Sequence, residues 1–330
     1  MLVTVDAKEL KEMFSDIKPI LKSIQEGALV GVSLSDHILT FTVRNGLVYT
    51  KTFVVEATGP YSITVLYQDL SEMLPASSTA QLDLEPVFVG VKTKNLNTLL
   101  VRANGIISPY ASELQGFQKC DTALYTRLAN NFTLMSPVSK SLGVESSAIL
   151  APDYAILKYS TVWLQIPFND FTSSISLRDL RSIAAFKPAE VAVSETAVEF
   201  KRRTALLAIP RTPLQSTTSV KDVIKDPERP IQLFRSNPLT DIQKFVRSVG
   251  SGACVLLFYT DGYEVQVENP RYNCSFRHGD CTQHIYSLHT YLEYLPMLFR
   301  IFPMQSAVLT KGSNAIAISE ERTTLLHSIV

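Results

Sequence analysis

The chain has 330 residues, with 31 Lys plus Arg against 31 Asp plus Glu, 46% hydrophobic and 19% charged residues. That balance excludes a disordered chain and a polycation, and the length exceeds one ordinary core, so two or three domains are expected. The opening MLVTVDAKEL lacks the basic and apolar regions of a leader, and no stretch approaches a bilayer span; the reading is a soluble intracellular protein with Cys120, Cys254, Cys274 and Cys281 reduced.

In chain order, a short strand passes Asp6, a helix-capping residue, into a helix over 6 to 24, where Leu10, Phe14, Ile17, Leu21 and Ile24 recur on one stripe. Pro19 falls inside this pattern and is expected to kink or split it. Alternating strands lead to a second helix behind ITVLYQDLSEML (63 to 74), then to AQLDLEPVFVGVKTKNLNTLLVRA, paired strands that turn at Glu85-Pro86. After a connector near 104 to 116 the order restarts. A helix over 121 to 136 is capped by Asp121 and striped by Leu124 and Leu128, SISLRDLRSI (174 to 183) supplies the second helix, and the closing strands turn at Ser194-Glu195. A loop-like connector, 212 to 230, precedes a third helix over 237 to 251, with Ser236 or Asn237 as cap and Leu239, Ile242, Val246 and Val249 as stripe. IYSLHTYLEYL (285 to 295) and strands turning at Gly312-Ser313-Asn314 complete it.

Three segments thus share one grammar at a period of about 110 residues. The fold class expected is α+β, three tandem copies over 1–112, 113–222 and 223–330, each with two helices packed on antiparallel sheets.

Searching for chemistry yields little. NCSFRHGDCTQH (273 to 284) gathers Cys274, His278, Cys281 and His284, the ligand number of a closed zinc site. The corresponding stretches of the other copies hold no such ligands, and the spacing matches no known pattern, so a hairpin with Arg277-His278-Gly279-Asp280 as its turn is preferred and no metal is assigned. The five histidines do not recur between copies, and no nucleotide-loop, zincin or nucleophile-elbow motif occurs. Asp261-Gly262 reads as a hairpin turn and His37 as a solvated turn residue. No catalytic residue is assigned, and binding or scaffolding is favoured over an enzyme.

The triplicate, with its opening LVTVDAKELKEMFSDIKPIL, resembles the bacterial or phage DNA sliding clamp, the polymerase III beta subunit type of processivity factor. The resemblance implies a head-to-tail homodimer closing a six-domain ring around duplex DNA, helices inside. Its test is that helix faces opposite the buried stripes be basic. On a wheel of about 100° per residue, Lys8 and Lys22 lie opposite the first stripe and Lys11 and Lys18 flank it. Arg127, Lys244 and Arg247 avoid the stripes of the other two long helices, Arg178, Arg181 and Lys187 surround Leu180 and Ile183, and Arg300 ends the last helix. Glu9, Glu12 and Asp16 dilute the first helix, and the helix from Tyr67 has Asp69 and Glu72 without a base.

The resemblance further implies an apolar peptide pocket walled by Leu150, Tyr159 and Trp163 on one side and Leu326, Ile329 and Val330 on the other. A subunit interface would join Ile106 and Ile107 to Val246 and Val249. Trp163, the sole tryptophan, suits a peptide anchor. Implied partners are double-stranded DNA held without sequence specificity, a replicative polymerase, a clamp loader and a second copy of the chain. No cofactor and no membrane are implied; ATP would belong to the loader. The setting implied is the cytoplasm of a bacterial or phage-infected cell, the shorter chain suggesting a phage origin. The alternatives are a DNA-binding processivity or scaffold protein that closes no ring, and a metal-dependent enzyme on tandem α+β domains.

Overall fold

The computed structural model describes residues 1–21, 27–72, 79–92, 97–112, 114–142, 147–159, 162–212, 214, 219–269 and 272–328. The first copy runs β1 (Leu2–Asp6), α1 (Ala7–Leu21), β2 (Leu29–Ser35), β3 (Ile38–Arg44), β4 (Val48–Val54), β5 (Tyr61–Leu66), α2 (Tyr67–Glu72), β6 (Thr79–Glu85), β7 (Phe88–Lys92) and β8 (Asn97–Val101). The second repeats that order with β9 (Gln118–Lys119), α3 (Thr122–Leu142), β10 (Ser147–Leu150), β11 (Tyr154–Tyr159), β12 (Val162–Pro167), β13 (Ser173–Ser176), α4 (Leu177–Phe186), β14 (Glu190–Val193), β15 (Ala197–Arg202) and β16 (Ala205–Pro210). A short α5 (Val220–Val223) lies in the connector. The third copy runs β17 (Ile231–Gln232), α6 (Leu239–Val249), β18 (Ala253–Tyr259), β19 (Gly262–Asn269), β20 (Tyr272–Gly279) and β21 (His284–Tyr291). A 3₁₀ turn then leads to α7 (Leu295–Ile301), β22 (Val308–Lys311), β23 (Ala315–Glu320) and β24 (Thr323–Ser328). The α+β tandem triplicate read from the sequence is what the chain forms.

Sheet order shows how the copies join. Two eight-stranded sheets, β5-β2-β3-β4-β16-β15-β14-β9 and β13-β10-β11-β12-β24-β23-β22-β17, each combine four strands of one copy with four of the next. The seams are antiparallel ladders, Val48 to Lys51 against Ala208 to Ala205 and Val162 to Gln165 against His327 to Thr324. Sharing sheets across copies divides the chain into two compact units, Met1–Arg127 with Arg178–Pro213, and Leu128–Leu177 with Leu214–Val330. Each unit also contains one four-stranded sheet, β1-β6-β7-β8 in the first and β20-β19-β18-β21 in the second.

Local chemistry explains the elements. In α1 the buried residues Ala7, Leu10, Met13, Phe14, Ile17, Ile20 and Leu21 form the stripe that the sequence spacing predicted, and the backbone N–H groups of Lys8 and Glu9 donate to Asp6 Oδ1 at 2.7 and 3.4 Å. The helix continues through Pro19 to Leu21, so Pro19 does not split it there; Ile24 lies outside the described residues. Asp121 accepts from the Ala123 N–H at 2.9 Å, and Asn237, not Ser236, accepts from Leu239 at 3.0 Å. The α6 stripe is a departure: only Ile242 is buried, while Leu239, Val246 and Val249 are half-exposed.

The hairpin expected at 273–284 is corrected. β20 runs on through Gly279 as the partner of β19, from Gly262↔Gly279 to Asn269↔Tyr272, whereas β21 pairs with β18 on the far side of the sheet. Gly279 does take positive φ (87°), and the following loop is held to the Asp261 turn, whose carboxylate accepts from the Thr282 N–H at 2.8 Å. Those hydrogen bonds from Thr282 hold the Asp261 pKa below the ordinary carboxylate range.

In the first unit one buried polar cluster ties first-copy residues to the second. Arg202 of β15 donates to Asp16 of α1 at 2.5 Å and to the Phe186 carbonyl at 2.5 Å, and the Tyr49 hydroxyl donates to Asp16 at 3.2 Å. Burial lifts the Asp16 pKa above its ordinary value even though the Arg202 guanidinium pulls it down. A carboxyl whose folded pKa is raised stabilises most below its unfolded pKa, and that contribution declines as pH rises through the folded value. Asp16→Ala removes the nearer carboxylate of Arg202, leaving Glu12 at 3.4 Å, and orphans the buried Tyr49 hydroxyl, which should cost about 1–3 kcal/mol, read as a lower urea midpoint by circular dichroism.

Candidate functional site

The exposed side of α1 carries Lys8, Lys11, Ser15 and Lys18, one line at spacings of three and four residues. The helix acids that dilute this basic face in the sequence are turned to the sheet. Glu9 pairs with Lys51 at 3.0 Å, Glu12 with Arg202 at 3.4 Å and Arg203 at 3.9 Å, and Asp16 with Arg202. Their negative charge is thereby offset by cations of β4 and the β15–β16 hairpin, and the lysine row keeps its positive field. Lys22 lies outside the described residues.

On the remaining helices the proposed DNA contacts fall as follows. Arg127 on α3, Arg181 on α4, Arg247 on α6 and Arg300 on α7 are exposed, as is Lys187 just beyond α4. Lys244 is exposed and pairs with Asp241 at 3.5 Å. Arg178 differs: half-buried, it donates to the Asn45 carbonyl, and its guanidinium stands over the Asn45-Gly46 turn.

In the second unit, the outer face of the β12–β24 seam carries an apolar cluster. Ile156, Ala315 and Leu326 are its buried centre, with Ile149, Tyr154, Trp163, Val223 and Ile224 packed against them. Trp163 and Leu326 are direct cross-strand partners. Strand alternation separates the two faces: Val162, Ile316 and Leu325 line an interior cavity with Phe258 and Leu288. Leu150 is fully buried and alternates with Ile149, so Ile149 is the β10 residue that belongs to the cluster. Ile329 and Val330 lie outside the described residues, as does the side chain of Tyr159. Sequence reading missed Ile149, Tyr154, Ile156, Ala315, Val223 and Ile224; the isolated Val-Ile pair inside a polar connector was the available signal for the last two.

The connector is fastened onto this cluster. Asn314 donates to the Val223 carbonyl at 2.9 Å and accepts from the Lys225 N–H at 2.8 Å, and the Ser313 N–H donates to the Lys225 carbonyl at 2.9 Å. Gly312 lies beneath, where an added Cβ would come within 2.4 Å of the Lys225 carbonyl and 2.5 Å of Ile224.

Among the described strands the four-stranded sheets end on β1 and β8 in the first unit and on β20 and β21 in the second. Leu99 and Val101 of β8 are 56% and 73% exposed. On β20, Cys274, Phe276 and His278 are only half-buried, and Phe276 packs on Phe245 of α6 with ring centroids 5.6 Å apart. Of the interface residues expected from sequence, Ile106 is 82% exposed, Ile107 sits against Gly31 of β2, and Val246 and Val249 lie on half-buried positions of α6. Among the described residues no group of three His, Cys, Asp or Glu side chains is placed to hold a metal. In the 273–284 segment His278 shares a hydrogen bond with Ser236 at 2.7 Å, His284 one with Ser287 at 2.9 Å, and Cys281 donates to the Tyr263 carbonyl at 3.5 Å.

No protein-family model matches the chain, and no curated protein matches its sequence. Solved structures do match over its whole length. A putative DNA polymerase III beta subunit from Eubacterium rectale aligns with TM-score 0.78 and 9% identity over 100% of this chain and 99% of that one. The DNA polymerase sliding clamp of Bacillus subtilis gives 0.75 and 13% over 100% and 99%, and the Helicobacter pylori beta clamp bound to a DNA ligase peptide gives 0.74 and 9% over 100% of both chains. The chain therefore has the fold of the bacterial beta sliding clamps.

Gly312→Ala should lift the 223–225 segment from the cluster at a cost of about 1–3 kcal/mol, visible as a lowered thermal midpoint and a red-shifted Trp163 emission.

Proposed function

We propose that this protein is a non-enzymatic DNA sliding clamp: a homodimeric ring of six domains, three per chain over 1–112, 113–222 and 223–330, that encircles duplex DNA and tethers a replicative polymerase. The observation that carries the reading is the sheet pattern on a full-length clamp fold. At each internal seam the last strand of a first half-sheet (β4, β12) pairs with the last strand of a second half-sheet (β16, β24). The same positions in the leftover half-sheets are β20 and β8. A β20 that joins β8 of a second copy completes the pattern twice and closes the assembly in a head-to-tail dimer. The half-covered Phe245, Phe276, Val246 and Val249 then gain the cover that the α6 stripe lacks.

The lysine row of α1 supports nonspecific phosphate contact, with Arg127, Arg181, Lys187, Lys244, Arg247 and Arg300 as further contacts. Such contacts position a duplex without reading it. The apolar cluster at the β12–β24 seam is the proposed dock for short peptides of the polymerase and the loader, in line with the ligase peptide carried by the H. pylori clamp.

Protein loaded on closed circular plasmid should co-elute with it and run off once the plasmid is linearised; equal retention on both forms would leave a one-sided DNA binder instead of a ring. Light scattering should give a dimer, and Phe276→Asp a monomer, by placing a charge on the β20 edge. Replacing Lys8, Lys11 and Lys18 together by Ala removes both copies of the row from a dimeric ring and should flatten the dependence of log K on log salt by up to about 5; an unchanged slope removes α1 from the DNA interface.

A further inference from the structure

We infer that Lys158 makes the cluster around Trp163 selective for peptides that carry a carboxylate beside their apolar anchor. The inference rests on the docking role proposed for that cluster. Lys158 is the direct cross-strand partner of Trp163, and its ammonium lies 4.3 Å from the centroid of the ring. Along β11 the same face presents Tyr154, Ile156 and Lys158 in turn, so a row of packed apolar side chains ends in an exposed cation. The other cluster members, Ile149, Ala315, Leu326, Val223 and Ile224, are uncharged.

The geometry makes the cation respond to whatever binds. An apolar side chain stacking on Trp163 must share the ring with the ammonium or displace it. Displacement forfeits a cation–π contact, which a neutral peptide does not replace. A carboxylate one or two residues from the anchor pairs with the displaced ammonium beside an apolar surface, where the attraction is screened less than in open solvent. A basic residue at that place meets a like charge. The methylene stem of Lys158 meanwhile stays available to pack on the bound side chain. The occupant favoured is thus a short acidic-apolar peptide over its neutral or basic counterpart.

Trp163 is the sole tryptophan of the chain, so its emission reports occupancy without a label. Three hexapeptides with one leucine-rich core and a flanking Glu, Gln or Lys should bind with affinities falling in that order, by about fivefold per step. Lys158→Gln should remove the ordering and Lys158→Glu should reverse it; Lys158 is exposed, and circular dichroism verifies that both variants are folded. Equal affinities of the three peptides for the natural chain, or an ordering that persists in Lys158→Gln, overturn the role of Lys158 while leaving the dock intact. Absence of any emission change and of any calorimetric signal with all three peptides overturns the dock itself.

Discussion

A strand at the margin of a sheet presents a row of N–H and C=O groups that need partners, and a repeated half-sheet presents the same row in every copy. This chain satisfies the need across copies: β4 takes β16, and β12 takes β24, each through a four-residue antiparallel ladder. Residues far apart in sequence become neighbours through that choice. Asp16 meets Arg202, and Trp163 meets Leu326. The apolar cluster around Trp163 exists only because a seam runs through it.

The same cross-copy contact shapes the electrostatics. Net charge is zero, so any attraction for a polyanion depends on where the charges are held. On α1 the acids face the sheet and meet Lys51, Arg202 and Arg203, while Lys8, Lys11 and Lys18 face outward. The second copy thus contributes two arginines whose effect is to leave the first copy's helix basic on its outer side.

Much of this was legible in sequence, for definite reasons. Helix stripes with a period of 3.6, capping residues such as Asp6 and Asp121, and turn signals at Glu85-Pro86 and Gly312-Ser313-Asn314 are local features, and they coincide with the elements formed. Strand partnership is not local. Nothing in NCSFRHGDCTQH indicates that its first half pairs with β19 and that its second half lies beside β18. The roles of Glu9, Glu12 and Asp16 were equally hidden, since their partners lie in β4 and in the β15–β16 hairpin of another copy. Leu150 and Ile149 could not be assigned to faces without the register, because a shift of one residue exchanges them.

The first connector is held much as the second is. Glu199 of β15, 2% exposed, accepts from the Tyr110 hydroxyl at 2.6 Å and from Ser112, so the link between first and second copies is tied to the sheet it crosses. Each internal seam therefore has a ladder, a covalent crossing and a staple on that crossing. In the assembly proposed above, the seam between chains has the ladder and the packing around it, with no covalent crossing. Under mechanical load a hoop so built would part where one molecule meets the next, at the proposed β8–β20 junction, before it parted at either internal seam.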